Sequence, residues 1–170
     1  TIHIEIKNVY KYFANKNYII NKIRNINHSL KKDFGINRPK LAIAGINPHA
    51  GESGLISTDE QKYLVPLIKK LIKEKINVSG PFSGDGIISN HNIKKYDALI
   101  FAYHDQALIP FKIISNFGGV NFTSNLNLIR VSPSHGTARD ITNIRSANSQ
   151  GIINSYKLIN KIFKNRKKID

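Results

Sequence analysis

The sequence predicts an α/β fold built on a parallel sheet, and three observations carry that expectation. The stretch Leu41-Ala42-Ile43-Ala44-Gly45-Ile46 is a short apolar run bounded by Pro39 and by Asn47-Pro48, which is the pattern of a strand buried on both faces. A second run, YDALIFAY at residues 96–103, reads as another buried strand. Both runs end in polar residues, PHAGE after the first and His104-Asp105-Gln106 after the second, and open α/β sheets bind ligands beyond the carboxyl ends of their strands.

A chain of 170 residues, 41% of them apolar, suits one domain over residues 1–170 with a sizeable core. The lack of cysteine excludes disulfides, thiolate metal sites and cysteine nucleophiles. No apolar run approaches the ~20 residues of a membrane span. The opening TIHIEIKNVYKYF lacks the apolar core and cleavage site of a secretory signal, so a cytoplasmic setting without a membrane partner is expected. The absence of an initiating Met, and of Met and Trp throughout, hints at a fragment. The formal charge of +15 raises the question of a nucleic-acid partner. The lysines are dispersed over helical segments and a C-terminal run at residues 161–168, amid abundant Ile and Asn, so solvated helix faces explain the charge better.

The elements follow in order. Residues 8–13 and 18–30 carry apolar residues at three- and four-residue spacings and predict two surface helices, ended by Gly35 and Pro39. After the strand at 41–46, Ser57 and Glu60 make a capping-box pattern. That pattern opens a helix with Leu64, Leu67, Ile68, Leu71 and Ile72 on one face and lysines on the other. Residues 76–78 predict a short strand running into a Ser79-Gly80-Pro81 loop that carries Asp85. Residues 120–123 and 128–131 are further strand candidates, the second leading into SPSHGT. Repeated strand, polar loop and helix predict a doubly wound sheet whose loops meet at one edge.

The chemistry lies in those loops. His49 and His104 each follow a buried strand, and His3 sits in the alternating stretch TIHIEI, so three imidazoles can converge on a divalent cation while leaving room for substrate oxygens. Each is also compatible with a hydrogen-bonded structural histidine. Asp85 and Asp105 are candidates for proton handling or for orienting a histidine, and equally for turn and helix caps. Lys112 and Arg130 suit a carboxylate or phosphate, or plain solvation.

Four motifs then agree in order and spacing with one family. NPHAGE at residues 47–52, YHDQ at 103–106 with Pro110 and Lys112 following, VNFT at 120–123 and SPSHGTA at 132–138 resemble 4-hydroxythreonine-4-phosphate dehydrogenase of pyridoxal phosphate biosynthesis. The resemblance runs from His3 to about Tyr156 and covers the C-terminal half of such an enzyme; the family's N-terminal half, with a His-Thr pair that touches substrate, has no counterpart here. It implies part of an isocitrate-dehydrogenase-like α/β/α sandwich and a homodimer. It further implies a divalent metal (zinc, magnesium, manganese or cobalt) on His3, His49 and His104, and NAD or NADP. The implied reaction is oxidation and decarboxylation of 4-phosphohydroxy-L-threonine to 3-amino-2-oxopropyl phosphate, with Asp85, Asp105 and Lys112 as catalytic candidates. The phosphorylated substrate would be held by Lys112, Asn121 and Arg130, and adenosine by His135, Gly136, Thr137, Ala138 and Asp140.

Four departures from the family pattern are visible. Ser134 stands where the family has Asp, and Arg139 where it has an apolar residue. Asn143-Ile144-Arg145 replaces Gly-Lys-Gly, and Asn125-Leu126-Asn127 replaces Gly-Leu-Pro. With the basic charge they keep open a remnant that binds metal or phosphate without turnover; relatives sharing these motifs also act on other phosphorylated hydroxy acids, and a nucleic-acid-binding protein is the third reading, for which only the charge argues.

Overall fold

Strand β1 (Leu41–Ala44) is the middle of a parallel three-stranded sheet, flanked by β2 (Val78–Phe82) and β3 (Ala98–Ile100). The computed structural model describes residues 3–135 and 147–168. The sequence of β1, LAIA, alternates large and small side chains, and the two faces of the sheet differ accordingly. Leu41 and Ile43 enter the main core with Phe13 of α1 (Val9–Ala14), Ile20 and Ile23 of α2 (Lys16–Lys32), and Leu67 of α3 (Val65–Lys73). Ala42 and Ala44 face a thinner core with Ile87, Phe82 and Leu99, to which Tyr96, just after the short helix α4 (Asn90–Lys95), also packs. No described helix is long and apolar enough to cross a membrane.

The helices expected at 8–13 and 18–30 form as α1 and α2, and the apolar face of α3 is buried at Leu64, Leu67, Ile68 and Leu71. Ile72 is not part of that face: it lies 53% exposed. The expected capping box does not form either. The segment enters α3 through a wide turn, Glu60–Leu64, and the Ser57 hydroxyl accepts a hydrogen bond from the Asp59 amide at 3.2 Å. Glu60 turns inward to the end of β1, where unpaired backbone N–H groups compete for its carboxylate.

The second strand also differs from expectation, because β2 runs through Ser79-Gly80-Pro81 rather than stopping before them. Proline is tolerated because β2 is an edge among the described strands, where a missing N–H leaves no ladder bond broken. Gly80, at φ 134°, passes so close to β1 that a Cβ would lie 2.5 Å from the Ile43 carbonyl oxygen. Strand β3 is shorter than the expected 96–103, since the chain turns out of the sheet and begins helix α5 (His104–Ser115) at the histidine itself.

Beyond α5, the doubly wound expectation fails. β4 (Val120–Thr123) and β5 (Arg130–Pro133) pair antiparallel as a separate hairpin, with Asn121 opposite Ser132 and Thr123 opposite Arg130. The short 124–129 connection explains this, since a parallel crossover needs a dozen or more residues. Helix α6 (Gln150–Arg166) packs on the hairpin and ties it to the end of α2. Arg166 Nε meets the Asp33 carboxylate at 2.7 Å, Asn165 donates to the Asp33 carbonyl at 2.8 Å, and Phe34 packs edge-on against Phe122 with ring centroids 5.3 Å apart.

Candidate active site

Because β1 is central, the loops after β1, β2 and β3 lie side by side at one edge of the sheet. The loop after β1 is unusual in its backbone: His49, Ala50, Gly51, Glu52 and Ser53 have φ of 51°, 51°, 76°, 44° and 55°, a continuous left-handed turn. Left-handed helical backbone costs a non-glycine residue roughly 1–2 kcal/mol. Such a run persists only where its surroundings fix it.

That turn brings His49 to a cleft of about 260 Å³ whose other walls include Asp85 from the loop after β2, and Tyr103 and Gln106 from the region after β3. Gln106 joins two of the strand ends. Its side-chain amide donates to the Gly45 carbonyl at 2.9 Å, and its carbonyl oxygen accepts from the Ala102 amide at 2.8 Å. A larger cavity of about 430 Å³ lies between α1, α2 and the sheet, but its lining is apolar apart from Tyr12, Tyr18 and Lys22, so it offers none of the histidine and aspartate chemistry of the edge.

Asp85 is held below the ordinary aspartate value, first by the Ser83 hydroxyl, then by the backbone amides of Gly86 and of Asp85 itself, with a smaller contribution from His49; burial opposes them. At neutral pH it is therefore a carboxylate, able to accept a proton but not to supply one. A folded pKa below the unfolded one adds stability above the unfolded value, and that contribution disappears as pH falls through the folded value. Ser83→Ala should accordingly move the Asp85 midpoint up toward the ordinary aspartate value, followed by carboxyl-carbon NMR, and shrink the acid-side loss of stability. An unchanged midpoint would exclude the hydroxyl as the main cause.

His104, the first residue of α5, stands beside His3 with ring centroids 5.6 Å apart. The Asp105 carboxylate lies 2.8 Å from His104 Nδ1. A carboxylate can only accept, so in a neutral ring this contact selects the Nδ1–H tautomer and turns the Nε2 lone pair to a ligand position. His3, His104 and Asp105 line one depression, and Tyr103 borders both this depression and the His49–Asp85 cleft. The donor set thus suits a divalent cation in kind, and two imidazoles are adjacent. Among the described residues, however, no group of three or more His, Asp or Glu stands close enough to hold an ion, so the fold preassembles the pair and not the triad.

The predicted anion-binding residues form a second group. Asn121, Thr123, Arg130 and Ser132 share one face of the hairpin, because directly opposed residues of antiparallel strands point the same way. Arg130 donates to the Thr123 hydroxyl at 2.9 Å, and Lys112, near the end of α5, donates to the Ser134 carbonyl at 3.0 Å. His135 follows β5 and is exposed; Gly136, Thr137, Ala138 and Asp140 lie outside the described residues.

Sequence reasoning passed over Asn47, Tyr103 and Gln106 at the cleft, and Glu60 behind it. A signal for Glu60 existed. It falls on the stripe 60, 64, 67, 71, whose other members are apolar and buried, so a buried carboxylate with a partner was readable there.

This is a mixed α/β protein in which His49 and Asp85 line a cleft at the carboxyl edge of a parallel sheet, the edge at which open α/β sheets bind ligands. Residues 1–159 match the family model described as pyridoxal phosphate biosynthetic protein PdxA, and the chain belongs to that family. It is 42% identical over 136 residues to 4-hydroxythreonine-4-phosphate dehydrogenase of Paracoccus denitrificans, covering 80% of this chain and 42% of that protein. To the enzyme of the same name from Bacteroides thetaiotaomicron it is 34% identical over 168 residues, which is 99% of this chain and 46% of that protein. The crystal structure of a 4-hydroxythreonine-4-phosphate dehydrogenase from Burkholderia phymatum superposes with a TM-score of 0.77 at 31% identity, over 95% of this chain and 48% of that one. A terephthalate 1,2-cis-dihydrodiol dehydrogenase from Burkholderia xenovorans superposes with a TM-score of 0.71 at 26% identity, over 94% and 50%. The chain spans about half the length of the curated relatives it matches.

Proposed function

We propose that this chain is one half of a cytoplasmic, homodimeric 4-hydroxythreonine-4-phosphate dehydrogenase of isocitrate-dehydrogenase-like fold. In this reading it oxidises 4-phosphohydroxy-L-threonine with NAD or NADP and decarboxylates the product to 3-amino-2-oxopropyl phosphate. The observation that supports the reading is the placement of His49 with Asp85 in the cleft past β1 and β2 and of His3 beside His104 in the adjoining depression, with Tyr103 bordering both, in a chain of this family. His3, His104 and His49 would hold a divalent cation, which when bound lowers the pKa of a substrate hydroxyl and stabilises an enolate. Asp105 orients His104 through Nδ1. Asp85, ionised at neutral pH, accepts a proton or orients His49 across the cleft. Lys112, Asn121 and Arg130 bind the anionic groups of the substrate from the hairpin side, and the segment from His135 to Asp140 takes the adenosine of the nucleotide. The relative named for a terephthalate dihydrodiol favours a second reading, in which the same half-site serves a different hydroxylated substrate.

The test supplies the part of the Paracoccus denitrificans relative that lies outside the match as a separate polypeptide, with divalent metal, nucleotide and 4-phosphohydroxythreonine. Reduced nicotinamide and carbon dioxide should form in the mixture and be lost with His104→Ala. A co-purifying complex of the two halves that forms neither product would overturn the proposal.

A further inference from the structure

We propose that Glu60 is a positioning residue for His49, fixing the left-handed turn that carries the histidine into the cleft. Glu60 is 2% exposed, and among the described residues no Lys, Arg or His forms an ion pair with it. A buried carboxylate without a cation is costly unless N–H donors satisfy it. Here they come from the end of β1: Oε1 accepts from the backbone amides of Ile46 and Asn47, both at 2.8 Å, and the Asn47 side-chain amide lies 3.4 Å from each carboxylate oxygen.

The same carboxylate is wedged against the turn. A Cβ on Gly51 would collide with Glu60 Oε2 and with the Ser57 carbonyl, and a Cβ on Gly45 would lie 2.8 Å from Ala50 Cα and 3.3 Å from Glu60 Oε1. Strand end, carboxylate and turn therefore meet with no room for a side chain between them. His49 is two residues from Asn47 on one side and two from Gly51 on the other, so both contacts of Glu60 bracket it. Left-handed φ at four non-glycine residues is maintained from outside the turn, and Glu60 supplies that constraint. A first-turn acid that merely favoured helix α3 would need neither the Ile46 and Asn47 amides nor a bare Gly51.

The consequence for function rests on His49 being a ligand in the proposed reading; the effect on the turn does not. Two measurements on the 170-residue chain separate them: one-bond Cα–Hα couplings and amide exchange at residues 46–53, which report the sign of φ and the Glu60 hydrogen bonds, and cobalt(II) titration followed by its visible absorption. Glu60→Ala should expose the Ile46 and Asn47 amides to exchange and abolish the positive-φ couplings at 49–53. Cobalt affinity should fall by about 10- to 100-fold, as for other residues that orient ligands without touching the ion. Glu60→Gln, which keeps one oxygen for those amides, should restore most of both. Gly51→Ala should reproduce the defect with Glu60 intact, and stands in should Glu60→Ala not fold. Positive-φ couplings retained in Glu60→Ala would overturn the proposal, and, should that variant not fold, so would couplings retained in Gly51→Ala. Undiminished cobalt binding by His49→Ala would instead overturn the ligand reading, with the couplings still deciding the role of Glu60.

Discussion

By itself, the 170-residue chain is expected to form reduced nicotinamide from 4-phosphohydroxythreonine at least about 10⁵-fold more slowly than the two halves together, the lower end of what positioning two reactants contributes. The cleft beside His49 and Asp85 is bounded by strand-end loops on one side, and the cations lie apart from it, Lys112 near the end of α5 and Arg130 on the separate hairpin. Hydride transfer needs the donor carbon and the nicotinamide held at roughly 3–3.5 Å, and one wall of a site cannot hold both. The chain matches 42% and 46% of the length of the Paracoccus and Bacteroides relatives, and on the proposed function the residues that close the site belong to the complementary half. Product formation measured with and without the complementary half gives the ratio directly. Comparable rates in the two samples would mean that these residues already make a whole site.

Replacing Arg166 by methionine is expected to destabilise the fold by about 3–5 kcal/mol, the cost of stranding the other member of a buried ion pair. Asp33 is 2% exposed and its partner side chain 15%, so little solvent can take the place of the lost guanidinium. Arg166 also donates to the Asn127 carbonyl at 2.9 Å, so the same substitution loosens the connection between the two hairpin strands. Urea denaturation of the variant measures the loss. The double variant Asp33→Leu with Arg166→Met should recover much of it, since apolar replacement of both partners removes the stranded charge. A loss under about 1 kcal/mol would give this pair the weight of a surface ion pair.

The parts of the molecule legible in the sequence are those where local pattern and tertiary demand coincide. β1 reads as a buried strand because its apolar run is bounded by prolines, and the helix stripe at Leu64, Leu67, Ile68 and Leu71 reads because it faces the core it was patterned for. The meeting of His49 with Asp85 follows from placing polar residues just past neighbouring parallel strands, whereas His3, which follows no strand, stands beside His104 through a contact that strand placement does not foretell. Glu60 was obscured by a good local alternative: a capping box at Ser57 is satisfied locally, whereas the Ile46 and Asn47 amides that claim its carboxylate are distant in sequence. Pro81 hid the length of β2, since only the order of strands shows that it occupies an edge. The antiparallel pairing of β4 and β5 was signalled by the short 124–129 connection, which outweighs the apparent continuation of the strand–loop–helix rhythm.

The central claim, that this sheet edge is a metal-dependent active-site half, is tested most directly by equilibrium dialysis of the chain against zinc(II), with metal content read by atomic emission. About one ion per chain is predicted, lost in His104→Ala and in His49→Ala, because an open catalytic site draws on three ligands from separate segments. Zinc content equal to that of the unsubstituted chain in both variants would contradict it.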